Sequence, residues 1–227
     1  MINIKRHITS LVLKAVLSLV SLNGVFLMLL QDNFTNWSSL LYFTAQSNIW
    51  IGIYAILAFI FLLIETVTQK PKVPKWLEIL QLVFTVSIAI TGLIFCFVLA
   101  PTSGQNIWTP TNVLVHMLAP VLAIVDYFVS LRHFRYQKFS FFYATIPFLY
   151  YLGLSAIGYL AKWDYGQGNH YPYFFLNFGS PVGFFGFSSQ APYWMGTFYW
   201  IIVILAICLG LSFLFQWLAN RLNRVKQ

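Results

Sequence analysis

The chain has 227 residues, of which 59% are hydrophobic and only 8% charged, with a mean hydropathy of +0.76. That leaves too little polar surface to coat a water-soluble domain and specifies an all-α, polytopic membrane protein. Thirteen Lys and Arg against five Asp and Glu give a formal charge of +8. In a chain of this kind the excess marks the leaflet that holds the basic loops, where each basic group near anionic lipid contributes about 1 kcal/mol, and not a nucleic-acid surface.

Apolar runs of roughly 20 residues, the length that crosses a bilayer, predict six spans. The first, Thr9 to Leu30, follows Lys5, Arg6 and His7 and has no small-residue cleavage site at its end, so it reads as a retained span rather than a signal peptide. The second, Leu40 to Ile64, begins with the polar cluster Tyr42-Phe43-Thr44-Ala45-Gln46-Ser47-Asn48. A short link with Pro71 and Pro74 leads to Trp76–Leu99. Then come Thr111–Leu131, a basic link, Ser140–Leu160 and finally Tyr193–Ala219. Short links favour antiparallel neighbours, so residues 1–227 are expected to form one six-helix domain. No internal repeat of the kind common in secondary transporters is visible.

Basic residues are retained on the cytoplasmic side. Lys5 and Arg6, Lys70, Lys72 and Lys75, Arg132, Arg135 and Lys138, and Arg221, Arg224 and Lys226 all fall on one side of a six-span topology, against Lys162 alone on the other. Both termini are therefore expected to be cytoplasmic, in a multi-pass protein of the cell membrane. The longest outer connection, 161–192, is rich in aromatics and in Gly and Pro. It is expected to lie on the bundle as an aromatic cap or to re-enter it, because irregular backbone at membrane depth must be covered.

Candidate chemistry gathers at the outer ends of two spans. With the spans entering near Ser38 and Pro110, Thr44 and His116 each lie about six residues inside, roughly 9 Å at 1.5 Å per residue. An ionisable side chain at that depth faces a protein interior or a wet cavity and carries function. A hydroxyl and an imidazole at one level are the minimum parts of a nucleophile and its base. Thr44, Ser47 and Asn48 share one helical face, as do Asn112 and His116. Asn112, Asn48, Gln46 and Ser47 are thus candidates for orienting the ring or supplying oxyanion donors, beside Tyr150 and Tyr151. Spacing alone does not choose Thr44 over Ser47, and interhelical hydrogen bonding is an equally physical use of such groups.

Asp126 is ten residues beyond His116, about 15 Å along the helix, too far to touch the imidazole. With Glu65 and Glu78 it is expected near the cytoplasmic face, in reach of Lys14 or the basic loops, while Lys14 is expected to snorkel to the inner interface. Cys96 and Cys208 have no zinc-like spacing. No dinucleotide, Walker, HExxH or GxSxG motif is present, so neither metal nor cofactor is expected.

The six spans, Phe43-Thr44, Asn112-Val113-Leu114-Val115-His116 with Pro120, and Tyr171-Pro172-Tyr173-Phe174-Phe175-Leu176 together resemble the androgen-induced protein family and its bacterial six-span relatives. The resemblance covers most of the chain through short motifs in a common order. It implies an intramembrane threonine hydrolase of fatty acid esters of hydroxy fatty acids, or similar amphiphilic esters, with Thr44 as nucleophile and His116 as its histidine. Tyr171, Pro172, Tyr173 and Phe175 would belong to a substrate cap. Two departures stand out: the proline follows His116 by four positions rather than five, and the residues around Thr44 are more polar than in animal members. Acyl transfer by the same dyad, or non-catalytic lipid binding or transport, are the alternatives. The lipid substrate would enter from the bilayer, with anionic lipid as the partner of the cytoplasmic face.

The charge asymmetry generates a direct expectation. With Cys96 and Cys208 replaced, Lys162→Cys should react with a membrane-impermeant maleimide in intact cells and Lys72→Cys only after permeabilisation; the inverse pattern would reverse the orientation.

Overall fold

The computed structural model describes residues 4–34, 37–103, 107–131, 134–166 and 168–224. Of the basic clusters, Arg132, Lys226 and the side chains of Lys5 and Arg224 lie outside the described residues. The described chain is helical, with one isolated bridge between Phe187 and Met195. Six helices are long and apolar enough to cross a membrane: α1 (Ile4–Gln31), α2 (Phe43–Thr68), α3 (Lys75–Thr102), α4 (Pro110–Val129), α5 (Ser140–Leu160) and α6 (Thr197–Arg224). The protein is a multi-pass membrane bundle, since in lipid every backbone polar group must be satisfied within the helix itself.

Local chemistry sets most boundaries. Gln69 ends α2 in the left-handed conformation at φ 53°, after which Pro71 and Pro74 prevent continuation. Thr109 caps α4 by accepting from the Asn112 amide at 3.2 Å, with Pro110 at the first helical position, where its missing N–H costs nothing. Two helices start later than the hydropathy reading places them. Residues Trp37–Leu41 form a 3-10 turn, so α2 starts at Phe43 rather than Leu40. The last helix starts at Thr197 rather than Tyr193, because Gly196 donates to the Gly186 carbonyl in the preceding loop. Apolar composition extends further than helical backbone at both places.

Helix α3 is the hub. Its most apolar window is 61% buried, against 28–39% for the other five. One core cluster joins it to α1, α2 and α4 through Leu17, Ile51, Tyr54, Leu77, Ile88 and Ala123. A second joins it to α4, α5 and α6 through Leu82, Val86, Tyr127, Phe148, Ile204 and Phe215. Close approach is helped by a small residue at Gly52, where a Cβ would come within 2.8 Å of Leu22 on α1, the packing device of membrane helices.

The end of the bundle that carries the termini holds the ionic groups. Lys14 does not snorkel: it is 4% exposed, and its Nζ donates to both carboxylate oxygens of Asp126 at 2.9 and 2.8 Å and to Ser130 at 3.0 Å. Ser130 and Gln81 also donate to Asp126, so α1, α3 and α4 meet at one carboxylate. Glu65 accepts from the amides of Lys72 and Val73 and pairs with His7 at 3.7 Å, which folds the α2–α3 link onto the bundle. A cavity of about 500 Å³ lies among these groups, reached by Arg6, Lys14, Glu65, Glu78 and Gln81.

Breaking a buried ion pair on one side leaves an uncompensated charge and costs about 3–5 kcal/mol. Lys14→Ala or Asp126→Ala should each sharply lower the melting temperature in detergent. The paired Lys14→Met, Asp126→Leu variant should recover most of it; single variants as stable as wild type would remove the pair from the fold's energetics.

Candidate active site

The site lies at the opposite end and begins with two helix irregularities. Residues Phe95–Leu99 of α3 and Leu114–Leu118 of α4 are π-helical, and each is followed by Ala-Pro, at Pro101 and Pro120. A proline inside a helix lacks an N–H and its ring crowds the carbonyl four residues back; widening the preceding turn is a usual relief, and such bulges concentrate at functional sites. For Pro120 the crowded carbonyl is that of His116. Here α3 approaches most closely: a Cβ at Gly92 would lie 2.9 Å from the His116 carbonyl oxygen and 3.1 Å from Pro120.

The bulge turns His116 into the bundle. Its imidazole stacks on Phe95 with ring centroids 3.9 Å apart and planes 10° from parallel. The Thr91 backbone is a polar neighbour, and buried Nδ1 has no hydrogen-bond partner among the described residues. Asn48 on α2 donates to the Val115 carbonyl at 3.1 Å and to that of Thr44 at 2.9 Å. Ser47 shares a 2.8 Å hydrogen bond with Thr91. These two residues are interhelical ties that fix α2 against α3 and α4.

Thr44 is the second residue of α2, so its amide has no acceptor within the helix, and Tyr42 at the N-cap supplies no side-chain cap. The partner comes from the long loop instead. Tyr173 receives the Thr44 N–H at 3.4 Å, and its hydroxyl is 3.3 Å from Thr44 Oγ1. Burial raises the Tyr173 phenol above its ordinary pKa, so it is protonated at neutral pH. Tyr42, whose phenol burial pushes up to about 12, donates to the Tyr165 carbonyl at 2.6 Å. The connection 161–192 packs on the bundle in this way, with Tyr165, Phe175 and Leu176 buried.

Thr44, Thr91, His116, Tyr151 and Tyr173 supply the polar groups of one small cavity of about 40 Å³, whose other walls include Phe43, Phe148, Phe175 and Ile204. Thr44 and His116 therefore line one cavity, although one is at a helix start and the other is the seventh residue of its helix. Several sequence candidates do not reach this space. Asn112 donates to the Ile107 carbonyl at 2.7 Å and Gln46 to that of Leu40 at 3.1 Å, so neither orients the imidazole nor faces the cavity. Tyr171 pairs with Tyr193, and Pro172 does not line the space; of the cap residues, Tyr173 and Phe175 do. Tyr150 is 53% exposed. The acids at this end are used locally, Asp32 by Ser39 and Asp164 by the amides of Gly166 and Gly168.

Sequence reasoning missed Thr91 and the two bulges. The repeated Leu-Ala-Pro at Leu99-Ala100-Pro101 and Leu118-Ala119-Pro120 was the available signal. Comparison with protein-family models, curated proteins and solved structures gives no match to this chain.

The α3–α4 contact generates a prediction. Gly92→Ala places a methyl against backbone that has little freedom to retreat, so it should cost about 1–3 kcal/mol, as overpacking does, read as a lower melting temperature. A neutral result would mean that the two helices separate freely at the site.

Proposed function

We propose that the protein is an intramembrane ester hydrolase that uses Thr44 as nucleophile and His116 as general base. The observation that carries this reading is the convergence of Thr44 and a buried imidazole with an unpartnered Nδ1 on one small, largely apolar cavity. In the tautomer protonated at Nε2, Nδ1 carries the lone pair. His116 would take the Thr44 proton as Oγ1 attacks the ester carbonyl, then return it to the departing alcohol, leaving an acyl-threonine. Water activated by the same imidazole would release the acid.

The substrate class follows from the walls and from the resemblance to the androgen-induced protein family: a lipid ester, such as a fatty acid ester of a hydroxy fatty acid, entering from the bilayer. A volume of about 40 Å³ holds about three waters at roughly 10–15 Å³ each. The acyl chains must therefore displace apolar side chains of the wall to bind. The basic loops support placing the site in the outer half of the cell membrane. Acyl transfer differs only in whether water or another hydroxyl accepts the acyl group. The polar cavity at the other end favours a second reading, transport, in which His116 is a ligand site. On the intervening stretch of α3, Ser87 and Thr91 close on their own helix carbonyls, while the buried Thr85 hydroxyl has no partner among the described residues.

Purified protein should release fatty acid from a branched fatty ester, Thr44→Ala and His116→Ala should reduce turnover by three orders of magnitude or more, as removing a nucleophile or its base does, and Ser47→Ala should stay active. An inert wild type, or Thr44→Ala at full rate, would sink the hydrolase and leave transport.

A further inference from the structure

We infer that Tyr151 is a catalytic residue whose phenol, with the Thr44 amide at the start of α2, binds the oxyanion formed on the ester carbonyl. This inference rests on the hydrolase reading and adds to it the donors that reading lacks. As Thr44 Oγ1 bonds to the carbonyl carbon, the C=O electron pair moves onto oxygen and the Thr44 proton passes to His116. The negative charge then needs donors already in place.

Three observations converge on the same two donors. The Thr44 N–H lies in the first turn of a 26-residue helix that has no N-cap side-chain bond, where free amides and the aligned peptide dipoles favour negative charge. Its present partner, Tyr173 Oη, is a long 3.4 Å contact, weak enough to yield to an anionic oxygen. Independently, Tyr151 lines the same cavity and is only 3% exposed. Its hydroxyl is buried without a hydrogen-bond partner among the described residues, with the Phe43 backbone, Ser155 and Tyr173 as polar neighbours. A buried hydroxyl in that state calls for an explanation, and as a donor awaiting an acceptor it has one.

The ring is held rigidly for the task. It packs edge-on against Phe43, the residue before Thr44, with centroids 5.1 Å apart, and lies 6.3 Å from the Tyr173 ring. Tyr173 is then the positioning residue: it occupies the Thr44 amide and hydroxyl in the resting state and gives up the amide as the substrate carbonyl arrives. The cap loop thus takes part in assembling the site.

The test is Tyr151→Phe, which deletes only the hydroxyl and keeps the packing ring. Loss of one oxyanion donor lowers kcat by about 100-fold to 1000-fold, and KM should change little. An alkyl boronate, which forms a tetrahedral anionic adduct on a nucleophilic hydroxyl, should lose affinity in parallel, while the melting temperature holds. Tyr150→Phe, next in sequence but facing outward, should match wild type in every readout. Tyr151→Phe with wild-type kcat and boronate affinity, beside an inactive Thr44→Ala, would overturn the inference and leave the dyad intact. Thr44→Ala at full rate, or a wild type with no esterase activity, would overturn both.

Discussion

The close approach of Gly92 to the His116 carbonyl is the constraint from which the site end of the bundle follows. Pro120 denies that carbonyl its helical partner, α4 widens into a π turn, and α3 can lie against the widened turn because Gly92 has no side chain. Only at this separation does Phe95, itself the first residue of a π turn, stack on the imidazole. Two helices with regular ladders would keep their carbonyls bonded within the helix and present side-chain ridges to one another. Here paired irregularities exchange some intrahelical bonding for a defined imidazole orientation, and Asn48 accounts for the Val115 carbonyl from α2.

The second element of the site is set from outside the spanning helices. An α-helix start always presents uncommitted amides, and most such ends are capped by a local Ser, Thr, Asp or Asn. Tyr42 at the N-cap of α2 cannot do this, so the amide of Thr44 is left to a tyrosine 129 residues away in the chain. The aromatic loop is therefore more than an interfacial belt. Its rings run from Tyr42 through Tyr173 to Phe175 in successive contact, and burial keeps the participating phenols protonated.

The two ends of the bundle divide their roles. Near the termini the charges neutralise one another within a few ångströms, as in the Lys14–Asp126–Gln81 junction, and that end ties α1, α3 and α4 together. Toward the opposite end the buried polar atoms of the cavity are left with spare hydrogen-bonding capacity, Nδ1 of His116 and the hydroxyl of Tyr151 among them.

The sequence by itself determined the all-helical class and the six spans, because both depend on run length against bilayer thickness; it sent Lys14 to the inner interface, whereas the fold buries it against Asp126. It also singled out Thr44 and His116, since a histidine in an apolar run and a polar cluster at a span start are anomalies visible in one dimension. Only the tertiary structure decided which of their neighbours stand with them. Ser47, Asn48 and Asn112 have the right helical spacing yet spend their hydrogen bonds on helix ties and a loop. Thr91, Tyr151 and Tyr173 arrive from three other segments. Periodicity places residues on a face but says nothing of which face meets which, and the true helix start at Phe43, two residues after a 3-10 turn, depends on backbone geometry that hydropathy does not encode.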